Sequence, residues 1–317
     1  MEFNVEKPSL PAGVFAFRNP KDLRSQKTSV DLFPNMKKIL GVPLLLVVLI
    51  SQARAQVDTS YGWHHRLIAE LHLAEVSFSH WTQGGTNALS YIAGVNGQSV
   101  RNAPKTNWTT TYKLDYGQTK LDGQALEKTD DEINLESVLT YKIGTRVNPY
   151  VAASLLTQFG PGYQYSDTVG VAPVEVSNFF DPAYIKEGAG MGWLVSKEFQ
   201  TRLGLALREI VTNHFNQYAS EPLENEVKKI RVQGGLESES EVEVPVDDNV
   251  LFRAKIDLFS PFNTMNRIVI HGEGSLIAKV SKIFSAELSA LVIEEPDISP
   301  YTQIKQGLSL GISYAVL

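Results

Sequence analysis

Apolar and polar residues alternate strictly in short segments from Trp108 to the C-terminus. In the segment 202–208 leucine occupies every second position, and in 252–258 apolar residues alternate with Arg, Lys and Asp. Side chains along a β-strand point to opposite faces in turn, so each segment presents one apolar face and one polar face. The pattern predicts an all-β protein, which is either a soluble sandwich or a barrel in a membrane.

The N-terminal region predicts export. A basic n-region at 36–38 precedes an apolar stretch at 39–50, and Ala53-Arg54-Ala55 supplies the small-x-small pattern of a cleavage site. We therefore expect an upstream extension from a misplaced start codon over 1–35, a signal peptide over 36–55 and a mature domain over 56–317. A cytoplasmic tail with a membrane anchor is the alternative, but the apolar run is shorter than the ~20 residues that a spanning helix needs.

The C-terminal segment favours a membrane barrel over a soluble sandwich. Residues 309–316 resemble the signal by which the barrel-assembly machinery recognises outer-membrane clients, with Gly311, Tyr314 and Val316 at its marked positions. Val316 stands where a terminal Phe is usual, and Leu317 extends one residue further. No segment after the signal peptide contains 18 apolar residues in a row, so a helical inner-membrane protein is excluded.

Twelve alternating segments are predicted in the mature chain. They lie near 64–78, 86–96, 107–117, 131–143, 149–159, 184–195, 201–211, 226–243, 250–259, 267–280, 283–293 and 305–316. Their connections alternate between short and long, except that 97–106 is long on the side where short turns are expected. Outer-membrane barrels have an even strand count, short periplasmic turns and longer outside loops. We therefore predict a closed antiparallel transmembrane β-barrel of about 12 strands in the outer membrane, with the first strand paired to the last.

Residue parity separates a lipid face from a lumen face. Apolar residues such as Trp108, Leu139 and Val151 share one face, and charged residues share the other. A charge on the lipid face would cost ~2–4 kcal/mol at mid-membrane, so the charged residues are expected in the lumen. The lumen-lining candidates are Lys113, Glu136, Arg202, Arg208, Arg231, Glu237, Glu239, Glu241, Arg253, Lys255, Asp257, Glu273, Lys279 and Glu287.

The segment 237–243 carries glutamate at every second position, so these four carboxylates must share one face. Two interpretations remain open. The glutamates form a cross-strand salt-bridge ladder that fills the lumen, or they form an acidic lining that favours cations at one mouth of a pore.

The hairpin around 245–248 predicts partners for these glutamates. Opposed residues share a face, so their numbers sum to an even value. We expect Arg253 to oppose Glu239 or Glu241. Lys255 is expected to oppose Glu237 or Glu239. This register would leave Glu243 as a free carboxylate at the periplasmic mouth.

Four motifs carry a resemblance to a known family. They are SFSHWTQGG at 77–85, KTDD at 128–131, TQFGPGY at 157–163 and SNFFDPAY at 177–184. Together they resemble domain-of-unknown-function family 3078, an uncharacterised family of bacterial outer-membrane barrels. His80 stands where the family pattern usually has Asn. The resemblance implies an outer-membrane location and supplies no activity.

Motif searches indicate neither an enzyme nor a cofactor protein. The chain has no cysteine, and its six histidines include no pair at metalloprotease spacing. It contains no Gly-x-Ser-x-Gly elbow, and the net charge of −6 argues against a nucleic-acid partner. We therefore expect no catalytic residues, no metal and no cofactor. The expected partners are outer-membrane lipid, the barrel-assembly machinery and small polar solutes, and a monomer is favoured.

Three functional hypotheses follow for such a barrel. The first is a narrow channel for small polar solutes, because a 12-strand bore lies between filled 8-stranded barrels and wide 16-stranded porins. The second is a non-conducting structural or docking barrel whose loops, including Phe179 and Phe180, bind a partner protein or a surface glycan. The third is an outer-membrane hydrolase in which His80 or His214 serves as the base.

Overall fold

The computed structural model describes residues 61–77, 87–165, 172–220 and 227–316. The extension and signal peptide assigned to 1–55 lie outside the described residues, so those assignments stay predictions. In the described part of the chain, the structure contains no helix with the length and apolarity to cross a membrane.

The described residues form a closed barrel with one additional hairpin. The strands are β1 (Gly62–Val76), β2 (Ala88–Asn102), β3 (Thr106–Leu121), β4 (Leu126–Tyr141), β5 (Val147–Thr157), β6 (Gly162–Gln164), β7 (Val174–Ser177), β8 (Ala183–Leu194), β9 (Phe199–Val211), β10 (Ile230–Asp247), β11 (Val250–Pro261), β12 (Val269–Lys279), β13 (Phe284–Glu294) and β14 (Gln303–Ala315). Twelve of these described strands pair in the closed order β1-β14-β13-β12-β11-β10-β9-β8-β5-β4-β3-β2, and β6 pairs with β7. The predicted twelve-strand antiparallel barrel is confirmed.

The barrel closes between its first and last strands, as the sequence predicts. β1 pairs antiparallel with β14, with Glu70 opposite Ser313 and Leu73 opposite Leu310. The apolar residues of β14 face outward, and Leu310 is 68% exposed. Closure satisfies the backbone groups of both edge strands, which hydrocarbon would otherwise leave unpaired.

Most connections sort by length to the two ends of the barrel, and the short 122–125 turn between β3 and β4, at the end of the longer loops, is the exception among the described connections. Short turns join β2 to β3, β4 to β5, β8 to β9, β10 to β11 and β12 to β13, whereas 158–182, 212–229 and 295–302 lie at the opposite end. We call these the short-turn end and the long-loop end. The expectation of a long 97–106 connection is wrong, because β2 continues to Asn102, which pairs with Asn107 of β3.

The outer surface carries an apolar band with aromatic residues at one rim. Leu205 in the middle of β9 is 59% exposed, and its alternating leucine neighbours are also exposed. The exposed aromatic residues near the short-turn end are Trp63, Trp108, Tyr141, Phe284 and Tyr314. An apolar band bordered by an aromatic girdle is the surface of a barrel that spans a membrane.

The β10–β11 register differs from the predicted one. Glu243 lies opposite Arg253 and Glu241 lies opposite Lys255. The turn occupies 248–249, further along the chain than expected, and a bulge between Pro245 and Asp247 restores the parity of the two strands. The prediction that Glu243 is free is therefore wrong, since its Oε2 lies 3.1 Å from Nε of Arg253.

Candidate functional site

Two ion pairs cross the lumen near mid-barrel. Nζ of Lys113 on β3 lies 3.4 Å from Oε2 of Glu273 on β12. Nζ of Lys255 on β11 lies 2.6 Å from Oε2 of Glu136 on β4. Neither pair joins neighbouring strands, so both contacts must pass through the interior. We call these four residues the septum, because they divide the twelve strands of the barrel into two groups of six.

On one side of the septum the interior is filled by a charged network. Nη2 of Arg202 on β9 contacts Glu136 and also lies 2.7 Å from Oε2 of Glu239. Nζ of Lys255 lies 3.2 Å from Glu239 and 3.5 Å from Glu241. The carboxylate oxygens of Glu136, Glu239 and Glu241 are close enough together to hold a cation. Here the Lys255 ammonium lies within 4.0 Å of all three, so the lysine supplies the positive charge.

A second group completes this filled half. Nζ of Lys186 on β8 lies 2.5 Å from Oδ2 of Asp257 and 3.4 Å from Oε2 of Glu237. The Tyr150 hydroxyl donates a 2.6 Å hydrogen bond to Glu237, which is 2% exposed. A Cβ on Gly188 would lie 2.1 Å from Oε1 of Glu237, so this glycine makes room for the carboxylate. The acidic stretch 237–243 therefore forms the salt-bridge ladder, the first of its two interpretations.

A cavity of about 900 Å³, which we call the open half, lies mainly on the other side of the septum. At the short-turn end its lining also includes residues of β9, β10 and β11, among them Gln200, Glu241 and Arg253. Its lining extends from Lys197 and Pro245 at the short-turn end to Asp130 and Lys305 near the long-loop end. Nζ of Lys305 on β14 lies 2.7 Å from Oδ2 of Asp130 on β4, so this pair crosses the cavity at the long-loop end. Among the described residues that line the cavity, nine are Asp or Glu and six are Lys or Arg.

A row of carboxylates lines the middle of the open half. Glu70 of β1 lies opposite Gly94 of β2, Gly94 lies opposite Asp115 of β3, and Asp115 lies opposite Glu132 of β4. A Cβ on Gly94 would lie 2.3 Å from Oδ1 of Asp115, so the glycine leaves room for that carboxylate. The row therefore places three acids at one level of the wall.

Two more acids on β12 and β13 lie beside the residues of this row. Glu273 on β12 meets Lys113, and Glu287 on β13 lies 3.9 Å from Nε2 of His72. The same imidazole nitrogen lies 3.7 Å from Oε2 of Glu70. The carboxylate ring is the set Glu70, Asp115, Glu132, Glu273 and Glu287.

The loop that joins β13 to β14 is anchored by arginines at the long-loop end. Glu295 is 6% exposed, and its two oxygens accept hydrogen bonds of 2.8 and 2.7 Å from Nη1 and Nη2 of Arg208. Oδ1 of Asp297 accepts a 2.8 Å bond from Arg267, and Oδ2 lies 3.4 Å from Nη1 of Arg231. We call residues 295–302 the latch loop.

The predicted lumen residues, apart from Lys279, therefore fall into three groups. Cavity-lining candidates are Lys113, Glu241, Arg253, Lys255, Glu273 and Glu287. Filled-half candidates are Glu136, Arg202, Glu237, Glu239 and Asp257. Arg208 and Arg231 hold the latch loop, and Lys279 is an exposed residue at the end of β12.

Sequence reasoning did not select several residues of the site. Glu70 lies on β1, where the alternation of apolar and polar residues is weakest. Lys186 lies in a segment with few charged residues. Glu132 has the same parity as Glu136 on β4, so the alternation that placed Glu136 in the lumen could have found it. Glu295 lies in a loop, where no periodicity exists to identify it.

The KTDD motif connects β4 to the long loop after β5. The Asp131 carboxylate accepts hydrogen bonds from the backbone N–H groups of Phe159 (2.6 Å) and Gly160 (3.0 Å). Nζ of Lys128 bonds to Asp131 at 2.7 Å and to the carbonyl of Gly160 at 2.9 Å. This motif therefore holds the start of the TQFGPGY motif in place.

The SNFFDPAY motif connects the same long loop to the β9–β10 loop. Asp181 accepts hydrogen bonds from the backbone N–H groups of Asn213 (3.0 Å), His214 (2.7 Å) and Phe215 (3.4 Å). Burial favours the neutral acid, but the three donors outweigh it and lower the pKa of Asp181 below its ordinary value. The motif therefore fastens two loops together through a carboxylate.

We expect Asp181→Asn to loosen this fastening by about 2 kcal/mol, because the charged acceptor of three backbone N–H groups is lost. The measurement is hydrogen exchange at the amides of Asn213, His214 and Phe215. Because the native pKa is lowered, the contribution of Asp181 is full at neutral pH and is lost as the pH falls through that pKa. Asp122→Asn, an exposed loop aspartate at the same end, is the control. Unchanged protection in Asp181→Asn would contradict the role.

The remaining loop candidates are placed only in part. Phe179 is 59% exposed near the β6–β7 hairpin, and Phe180 packs beside it with ring centroids 5.8 Å apart. The His214 side chain is 76% exposed, and its Nδ1 lies 3.5 Å from Oδ2 of Asp181. His80 and the rest of the first motif after Ser77 lie outside the described residues.

The fold defines a class of protein, the closed antiparallel β-barrel of outer-membrane type. A family model described as "Protein of unknown function (DUF3078)" matches residues 73–163, which confirms the predicted resemblance over that segment. No curated protein sequence matches this chain.

Solved structures with a similar architecture are distant from this chain. The translocator domain of the autotransporter NalP from Neisseria meningitidis is 13% identical, with 88% of this chain and 95% of that chain covered and a TM-score of 0.36. An outer membrane channel from Pseudomonas putida is 11% identical, with 83% and 98% covered and a TM-score of 0.36. The NanC porin is 10% identical, with 79% and 99% covered and a TM-score of 0.36. The assignment of the barrel rests on its own strand pairing.

Proposed function

We propose that this chain is an outer-membrane channel through which small polar solutes pass by way of the open half. The observation that carries the proposal is the cavity of about 900 Å³, whose lining includes residues from near both ends of the barrel. Its walls are charged, so they can replace water around a polar solute. The filled half restricts the passage to small solutes.

Several features support an outer-membrane location. The exposed leucines and the aromatic rim match the lipid-facing surface of a spanning barrel. Tyr314 and Val316, two residues of the predicted assembly signal, are exposed at the short-turn end. That placement leaves them accessible to the barrel-assembly machinery. The barrel is closed within one chain, so no second copy is needed to complete it.

Reconstitution of the purified barrel into planar lipid bilayers tests the proposal. We expect discrete conductance steps smaller than those of a 16-stranded porin, because half of a narrower bore is filled. The heat-denatured protein in the same detergent is the control. A barrel that is silent at all voltages would contradict the channel and favour the docking alternative, for which Phe179 and Phe180 are exposed.

A further inference from the structure

We propose that the passage selects small cations, and that Lys113 together with the carboxylate ring determines this selectivity. The inference rests on the proposed channel and names its substrate class. The inference depends on the charged residues that line the open half. Most of these residues lie outside the acidic stretch 237–243, which is the most obvious acidic segment of the sequence.

The geometry of Lys113 shows that the ring holds a cation. Its ammonium lies 3.0 Å from Oε2 of Glu132, 3.4 Å from Oε2 of Glu273 and 3.9 Å from Oδ2 of Asp115. Three strands, β3, β4 and β12, thus direct carboxylates at one nitrogen inside the cavity. The lysine is a tethered counterion in the place that a passing cation would occupy.

The ring has more acids than bases. Among the described residues of the ring, five carboxylates surround the Lys113 ammonium and the His72 imidazole. The Arg253 and Lys255 cations lie in the same cavity lining and also act on Glu70, Glu287 and Glu273. The five acids therefore outnumber the bases, whether or not His72 carries a proton. Rings of Asp and Glu side chains attract cations and repel anions in pores.

The acidic stretch 237–243 has a different role. Lys186 and Arg202 neutralise Glu237 and Glu239 in the filled half, away from the passage. Lys255 and Arg253 lie beside Glu241 and Glu243, at the short-turn end of the cavity. Only Glu241 and Glu243 of this stretch line the cavity, each beside a base, so the ring is the larger acidic group along the passage.

The test is the reversal potential of the barrel in a planar bilayer under a KCl gradient. We expect wild type to favour K⁺ over Cl⁻. Lys113→Met removes the tethered counterion. One unit charge about 4 Å from an ion in water changes its permeation roughly fivefold, in opposite directions for K⁺ and Cl⁻, so the K⁺ to Cl⁻ permeability ratio should rise roughly 25-fold. Combined Glu70→Gln, Glu132→Gln and Glu287→Gln substitutions should remove the preference for K⁺.

A matched control comes from the same strand. Lys120→Met removes the same charge from an exposed residue of β3 on the opposite face, and it should leave the ratio unchanged. Circular dichroism and heat-modifiable gel migration confirm that each variant is a folded barrel.

The outcomes separate the inference from the channel. Conductance that favours Cl⁻ or neither ion, or a ratio that Lys113→Met lowers, overturns the selectivity and leaves the channel standing. An equal change in Lys120→Met overturns the role of the ring, because bulk charge would then explain it. Silence in wild type and every variant overturns the channel and the selectivity together.

Discussion

Arg202→Leu should destabilise the barrel by about 3–5 kcal/mol, since removal of one partner leaves buried charges uncompensated. The guanidinium contacts Glu136 and lies 2.7 Å from Glu239, both of which are buried. Without it, Lys255 alone must balance these two carboxylates in the filled half. Urea unfolding in detergent micelles, followed by tryptophan fluorescence, measures the loss.

The same substitution should also change the conductance. The Arg202 guanidinium lies over the Tyr150 ring, 5.5 Å from its centroid. Its removal therefore leaves empty space beside β5 in addition to the loss of a positive charge. We expect larger and less steady current steps as the filled half loosens. Arg101→Leu, an arginine placed 5.8 Å from the Trp63 ring on the exposed surface, is the matched control. Equal unfolding midpoints for the two variants would show that the network does not support the barrel.

Parity along each strand made most of the barrel predictable. A period of two assigns every residue of a strand to one of two faces, so the interior positions of Lys113, Glu136 and Lys255 followed once lipid was assumed outside. Alternation located all twelve strands, but β2 and β10 run past their predicted ends, to Asn102 and Asp247. The lumen charges could be assigned because a charge in hydrocarbon is costly, a rule that needs no knowledge of partners.

Partner choice could not be predicted in the same way. Glu136 and Lys255 are 119 residues apart, and their contact depends on how the closed barrel brings β4 and β11 face to face. The β10–β11 register depended on a bulge between Pro245 and Asp247, and alternation alone does not show whether a turn contains an extra residue. Which half of the lumen is filled therefore depends on how the strands are staggered when the barrel closes.

The loops show the same limit for a different reason. The KTDD and SNFFDPAY motifs stood out in the sequence, yet their carboxylates Asp131 and Asp181 bind backbone N–H groups and position loops. Glu295 belongs to no motif, but it makes a buried bidentate ion pair with Arg208. The two motifs therefore fix the local geometry of loops. Glu295, which no motif marks, anchors the latch loop at the mouth of the barrel.

Glu295→Gln should release the latch loop and increase the conductance. The substitution keeps the shape of the side chain but removes the charge that balances the buried Arg208 and lies 3.9 Å from Arg231. Loss of one partner of a buried pair costs about 3–5 kcal/mol, which is enough to favour undocking of a surface loop. Hydrogen exchange at the amides of Ile298 and Ser299, which donate to the Glu295 carbonyl, reports the release.

A double substitution separates release of the loop from damage to the barrel. Arg208→Met with Glu295→Leu replaces the pair by apolar side chains, and replacement of a whole buried pair is often neutral or stabilising. This variant should keep the latch loop protected and the conductance at the wild-type level. If both variants conduct like wild type while exchange rises only in Glu295→Gln, the loop moves without controlling the passage. The Lys305–Asp130 pair, which crosses the cavity at the same end, is then the next contact to substitute.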